Sequence, residues 1–222
     1  MSDKKTVQIT AEEFLEKIWD RTLFIDHSTH IEVLGDVEIT SLPDNQQEFY
    51  WIHFQNDVFF RGIQIEKFLV FHTCTFKGRL SFENTSASIE FNGRSAANER
   101  ITLTNCKITT LDFEKLDAPF IIITGCKIIQ MIFTGSCVDL VIKDTMLGPK
   151  EIRWDSLQVS RFLVIDQVSS IDGLLRCSGM KYDMLTCTQD VWNQIHASLH
   201  YNVRIIPRKA TILAIDGGKG KK

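Results

Sequence analysis

Two octets, ITLTNCKI at residues 101–108 and IIITGCKI at 121–128, nearly coincide at an interval of 20 residues. A finer period runs through both. In steps of five the chain reads Leu103, Ile108, Phe113, Ala118, Ile123, Ile128, Phe133 and Val138, all apolar. With 44% apolar residues overall, eight in succession is roughly a one-in-a-thousand event by chance, before any choice of register. Two positions before these centres stand Ile101, Cys106, Leu111, Leu116, Ile121, Cys126, Met131 and Ser136, seven of them apolar. An α-helix cannot use a period of five, because each step advances about 140° beyond a full turn and scatters the apolar groups around the axis. A strand can, since residues two apart share a face. Each pentad then supplies one inward pair and turns a corner. Four sides close a coil of 20 residues, and the octets become neighbouring rungs about 4.8 Å apart, with Cys106 over Cys126 and Ile108 over Ile128.

This spacing resembles the pentapeptide-repeat proteins, with a bulky apolar residue at each centre and a small one, often Ala or Cys, two before it. The resemblance implies an all-β fold, a right-handed parallel β-helix with four sides. It is closest over 101–138. With single-residue slips it extends upstream through the pairs Ile52/Phe54, Val58/Phe60, Leu69/Phe71, Cys74/Phe76, Leu80/Phe82 and Ile89/Phe91. Downstream it continues through Leu140/Ile142, Ile152/Trp154 and Phe162/Val164. The family favours Asn or Asp just before the centre. Here those positions read Thr102, Lys107, Asp112, Asp117, Ile122, Lys127 and Ile132, a departure that leaves room for a less regular β-helix resembling the polymer-forming bactofilins.

A solenoid exposes strand edges and apolar interior at its ends, so both ends need covers. Residues 1–50 read as an N-terminal cap helix with entry strands. Thr10 and Glu13 form a capping box, Ile9 staples onto Phe14, and Phe14, Leu15, Ile18 and Trp19 make an apolar stripe. Ile31, Val33, Val37 and Ile39 alternate as strands of the same solenoid. Residues 51–188 read as the β-helix, a rod of about seven coils. Residues 189–222 read as a cap helix started by Asp190 with Val191, Trp192, Ile195 and Leu199 on one face, a strand at Thr211 to Ile215, and a flexible basic tail.

Charge is unevenly placed. Residues 1–50 carry 11 acidic and 4 basic side chains, 51–190 carry 16 and 15, and 191–222 carry 1 and 6. The N-terminus is polar where a signal peptide needs an apolar stretch, and no apolar run reaches the roughly 18 residues of a membrane span. Six cysteines in such a chain suggest reduced thiols and a cytoplasmic setting.

Chemistry-bearing motifs are sparse. No Cys-x-x-Cys pair occurs, and Cys74, Cys106, Cys126 and Cys187 fall at inward positions as packed thiols. His196 and His200 are four apart, and Asp26, His27 and His30 form a second cluster, but neither carries the Glu of a His-Glu-x-x-His site. The tail GGKGKK lacks Walker spacing, and no Gly-x-Ser-x-Gly marks a nucleophile. The reading is therefore of no catalytic residues, no metal, no cofactor and no enzyme. Trp154, amid the charges of Lys150 to Arg161, reads as core.

What remains is surface. NGRSAANER, residues 92–100, interrupts the pattern and is expected to bulge as a loop, with Arg94, Asn98, Glu99 and Arg100 as partner-contact candidates. The leading expectation is a non-enzymatic scaffold for another protein. The resemblance offers a second, a DNA mimic acting on a type II topoisomerase, although mimicry wants a denser acidic surface than the central region carries. A third is self-assembly, as a homo-oligomer joined through the oppositely charged solenoid ends. Six basic residues at the C-terminal end make a weak nucleic-acid footprint, and no membrane partner is expected.

Overall fold

The computed structural model describes residues 5–20, 29–43, 47–114, 116–166, 169–199 and 209–213. It is a parallel β-solenoid of about eight turns, one more than the period suggests, with one short helix at each end. Every strand pairing among the described residues is parallel, and coil stacks on coil. One coil defines four sides. Arg100–Thr104 forms the first face. Lys107–Asp112 bends across the second and third, and Leu116–Asp117 forms the fourth. The bend is visible one coil on, where Lys127–Ile132 is matched by two separate strands, Met146–Leu147 and Ile152–Arg153.

The inward positions are those the pentads mark from 101 to 133. Residues 101 and 103 through 131 and 133 are all buried, and Cys106–Cys126 and Ile108–Ile128 stack in register. The period then slips. Val138 and Ser136 do not point inward; Cys137 does. Both Val138 and Asp139 donate their backbone N–H to the Pro119 carbonyl, at 2.8 and 3.0 Å, which inserts a bulge into the strand. A second shift, between Val159 and Phe162, turns Leu163 and Ile165 inward in place of Phe162 and Val164. The upstream pairs are all buried as the pattern requires, as are Leu140/Ile142, Ile152/Trp154 and the entry residues Ile31, Val33, Val37 and Ile39.

Small polar side chains at the corners satisfy the backbone there. Asn84, Asn105, Gly125 and Asp144 turn with positive φ, a conformation that Asn, Asp and Gly tolerate best. The next residues, Thr85, Cys106, Cys126 and Thr145, point inward, and the last three form a ladder ending at Ser169. The Cys106 N–H reaches Cys126 Sγ at 3.3 Å, the Cys126 N–H donates to Thr145 Oγ1 at 3.2 Å, and the Thr145 N–H donates to Ser169 Oγ at 3.1 Å. The Thr145 hydroxyl donates onward to the Lys143 carbonyl at 2.8 Å. These thiols and hydroxyls occupy the small inward position because it offers buried amides a partner.

All six cysteines are free and buried. Burial pushes the Cys74 and Cys137 thiols up to about 12, Asp139 adding to the effect on Cys137, and pushes Cys187 up to about 11. Ionisation near 8.5 in the unfolded chain therefore favours unfolding. The stabilisation is complete below that value and is lost as pH rises toward about 12. The melting temperature is expected to fall steadily above about pH 9, with thiol reagents modifying the protein only as it unfolds.

Helix α1 (Ala11–Asp20) covers the N-terminal end. Its capping box is formed: the Thr10 N–H donates to Glu13 Oε2 at 2.8 Å and the Glu13 N–H to Thr10 Oγ1 at 3.1 Å. Phe14 and Ile18 are buried, and the Phe14 ring meets Phe54 edge-on at 5.3 Å. Trp19 lies outside the stripe, 54% exposed. Helix α2 (Gln189–Leu199) packs Val191 and Ile195 on the last coils. Its first turn is capped by Thr188, whose hydroxyl accepts from the Val191 N–H at 3.4 Å, not by Asp190. The late strand is Lys209–Leu213, paired with Met184–Thr188, and the tail lies outside the described residues.

Candidate functional site: the outer surface of the solenoid

Residues 92–100 do not bulge as a loop. Ser95–Ala97 is a fourth-face strand, paired with Thr75–Phe76 on one side and Leu116–Asp117 on the other. Ser95 and Ala97 point inward, and Ser95 Oγ bonds to the Phe71 and Asn92 carbonyls at 3.2 and 3.1 Å. The departure from regularity is one residue. His72 to Thr75 spans two intervening positions where Asn92 to Ala96 spans three, and the extra residue sits at the Arg94 corner. Arg94 is exposed at one end of this strand, and Asn98, Glu99 and Arg100 are exposed together past the other. The four candidates are thus split between two corners.

Arg100 borders a different feature. On the first face, the register Arg100–Phe120–Asp139–Phe162–Met184 runs along the outside beside a second outward row, Thr102–Ile122–Val141–Val164–Thr186. Phe120 is 36% exposed, and Ile122, Val141, Phe162, Val164 and Met184 are half-buried. Three coils therefore turn an apolar, flat β surface outward. Arg161 fixes its centre, bonding Asp139 through Nε at 2.8 Å while its guanidinium lies 5.7 Å from the Phe120 ring and 5.1 Å from Phe162. The earlier coils of this face are different. Phe59 there lies under Arg61 and Arg79 at 4.7 and 5.6 Å, and Arg61 bridges Glu38 and Glu83.

A second cluster lies near the N-terminal end. His30 Nδ1 and His53 Nε2 are 3.2 Å apart with rings stacked at 5.2 Å, and His30 also stacks on Trp51 at 5.4 Å. Glu32, in register with His53, accepts from Gln55 and Gln8. Burial, then His30, lowers the His53 pKa below its ordinary value, because a second charge beside a half-buried imidazole is unfavourable. The linkage sign follows: stability conferred by neutral His53 is present above the unfolded value of about 6.5 and lost as pH falls through the folded one. A proton NMR titration is expected to show the His53 ring titrating below 6.5. Asp26, His27 and His200 lie outside the described residues, and the His196 ring lies 4.0 Å from that of Trp192, tilted by 48°. Among the described residues no three His, Cys, Asp or Glu side chains are placed to hold a metal ion, and no helix is long and apolar enough to cross a membrane.

No family model, curated protein or solved structure matches this chain.

Proposed function

We propose that the protein is a non-enzymatic scaffold whose first face docks another protein. The observation that carries this reading is the outward apolar surface of Phe120, Ile122, Val141, Phe162 and Val164 on a rigid, regularly hydrogen-bonded sheet. An apolar patch with an Arg161–Asp139 pair at its centre and Arg100 at its border has the aromatic and arginine content of an interface core, and ordering it on binding costs little because the solenoid already holds it. The patch is apolar rather than acidic, which favours a protein surface over the DNA-binding groove of a topoisomerase. The five-residue period of 101–133, with Cys106 and Cys126 at the small inward position, supports grouping the chain with pentapeptide-repeat-like solenoids. Six buried free thiols suit a reducing compartment such as the cytoplasm.

The test is site-specific photocrosslinking in the native cell from a reactive residue at Val141, with the same residue at the fourth-face position Thr75 as control. A discrete adduct from Val141 alone, abolished by Ile122→Glu in a chain of unchanged melting temperature, is the expected result. Equal labelling from both positions, or an adduct indifferent to Ile122→Glu, overturns the reading.

A further inference from the structure

Two cations bordering the apolar patch of the first face stand without a counter-charge. Arg100 opens the outward row Arg100–Phe120–Asp139, and Lys143 closes a third outward row, Thr104–Thr124–Lys143, on the far side of Thr102–Ile122–Val141. Both are exposed, and among the described residues neither side chain makes an ion pair or a hydrogen bond. The carboxylates on this part of the face are engaged elsewhere. Asp139 is held by Arg161, and Asp166 accepts from the Asp144 N–H at 3.1 Å and the Ser169 N–H at 2.9 Å. Glu99, exposed at the adjoining corner, forms no pair with Arg100. On the preceding coil Arg79, next to the Leu80 that pairs with Ile101, puts a second cation on the neighbouring strand, bonded to Asp57 at 2.9 Å. Like charges on neighbouring strands repel, so an anion brought to Arg100 relieves an existing strain.

The two cations lie diagonally across the patch. From Arg100 to Lys143 is four residue steps along the strand and two coils along the axis, a distance of about 16 Å from the strand rise and coil spacing. Ile122 is the midpoint, with Phe120 and Val141 along one side of that line and Thr102 and Thr124 along the other. In an α-helix, residues eleven apart are separated by about 16.5 Å and return to nearly the same side after three turns. Residues four and seven positions on fall between them on the same stripe. A helix laid along the diagonal therefore sets two side chains over the cations and two more over the apolar centre. An extended guest fits less well. The backbone groups of this sheet are paired from coil to coil, so a strand lying on the face finds no edge to bond to, whereas a helix satisfies its own amides. The same face of a second copy would bring the same two cations and no free carboxylate to meet them.

Given the docking reading of the first face, we propose that this face receives an amphipathic α-helix of another protein. Acidic residues eleven positions apart on that helix pair with Arg100 and Lys143, and apolar residues between them rest on Phe120, Ile122 and Val141. The charges at the two ends set the direction and register of the helix, and the apolar centre supplies the contact.

A displayed library of helix-forming peptides of about 18 residues, or five turns, is panned against the full chain, and the affinities of selected peptides are measured by calorimetry. Selected peptides are expected to carry Asp or Glu eleven positions apart with apolar residues between, and to lose binding with Ile122→Glu. Arg100→Glu and Lys143→Glu, both at exposed positions, should each weaken binding about tenfold. Exchanging the matching acid of the peptide for Lys should restore it, one acid for each cation. Peptides that need Ile122 yet carry no such acid pair, or that are indifferent to both charge reversals, overturn the helix proposal and leave the docking face standing. A library that yields no binder dependent on Ile122 also overturns it, and the photocrosslink from Val141 then decides the docking face by itself. A Val141 adduct made of two copies of the chain identifies a second copy as the occupant and overturns the helix as well.

Discussion

Phe71→Ala is expected to lower stability by about 3–5 kcal/mol and the melting temperature by about 6–20 °C, read from urea and thermal unfolding. Phe71 stands where the interior aromatic columns meet. It stacks between Phe49 at 5.4 Å and Phe91 at 5.0 Å, and meets Phe60 and Phe76 edge-on at 5.7 and 5.5 Å. Truncation opens a cavity whose walls belong to three successive coils. Each of those coils is held at coil spacing by its ladder bonds, so the walls cannot close on the void. Ile128→Val, which removes one methylene from an equally buried site, is the control and should cost about 0.5–1.5 kcal/mol. A loss near 1 kcal/mol for Phe71→Ala would mean that coils can slide or collapse to fill the space, contrary to the register described above.

That same rigidity explains how much of the molecule could be read from its sequence. Wherever ladder pairing is unbroken, side-chain direction alternates strictly, and counting in fives from Leu103 finds each inward residue as far as Phe133. The count fails where the backbone inserts a residue. Nothing in the string announces that Val138 and Asp139 will share the Pro119 carbonyl, although a proline that withholds its own N–H is a natural place for irregular pairing. The misreading of 92–100 has another cause. A search keyed on bulky residues cannot see a side built from Ser95 and Ala97, whose place in the interior depends on the Ser95 hydroxyl reaching backbone carbonyls. The outward apolar face did leave a signal: Ile122, at an outward position, stands where pentapeptide-repeat proteins favour Asn or Asp.

Gly173→Ala is expected to cost about 3 kcal/mol, the upper end of what overpacking costs, with a fall in melting temperature of about 6–12 °C. Gly148 and Gly173 lie on successive coils where the backbones touch. A Cβ on Gly173 would sit 1.9 Å from the Lys150 carbonyl oxygen, and one on Gly148 would sit 2.5 Å from the Gly173 nitrogen. Both obstacles are main chain, so no rotamer change relieves them and the coil itself must move. Gly62 separates this effect from backbone conformation. It turns a corner with φ of +67° and has nothing within 4 Å of where its Cβ would stand, so Gly62→Ala should cost only the left-handed penalty of about 1–2 kcal/mol. Gly62→Asn should recover part of it, since asparagine tolerates that region. A Gly173→Ala loss no larger than that of Gly62→Ala would show that the later coils yield where the fold requires them to be fixed. The apolar face formed by Phe120, Ile122, Val141 and Phe162 would then be a deformable surface, and the argument that docking on it carries little ordering cost would fail with the prediction.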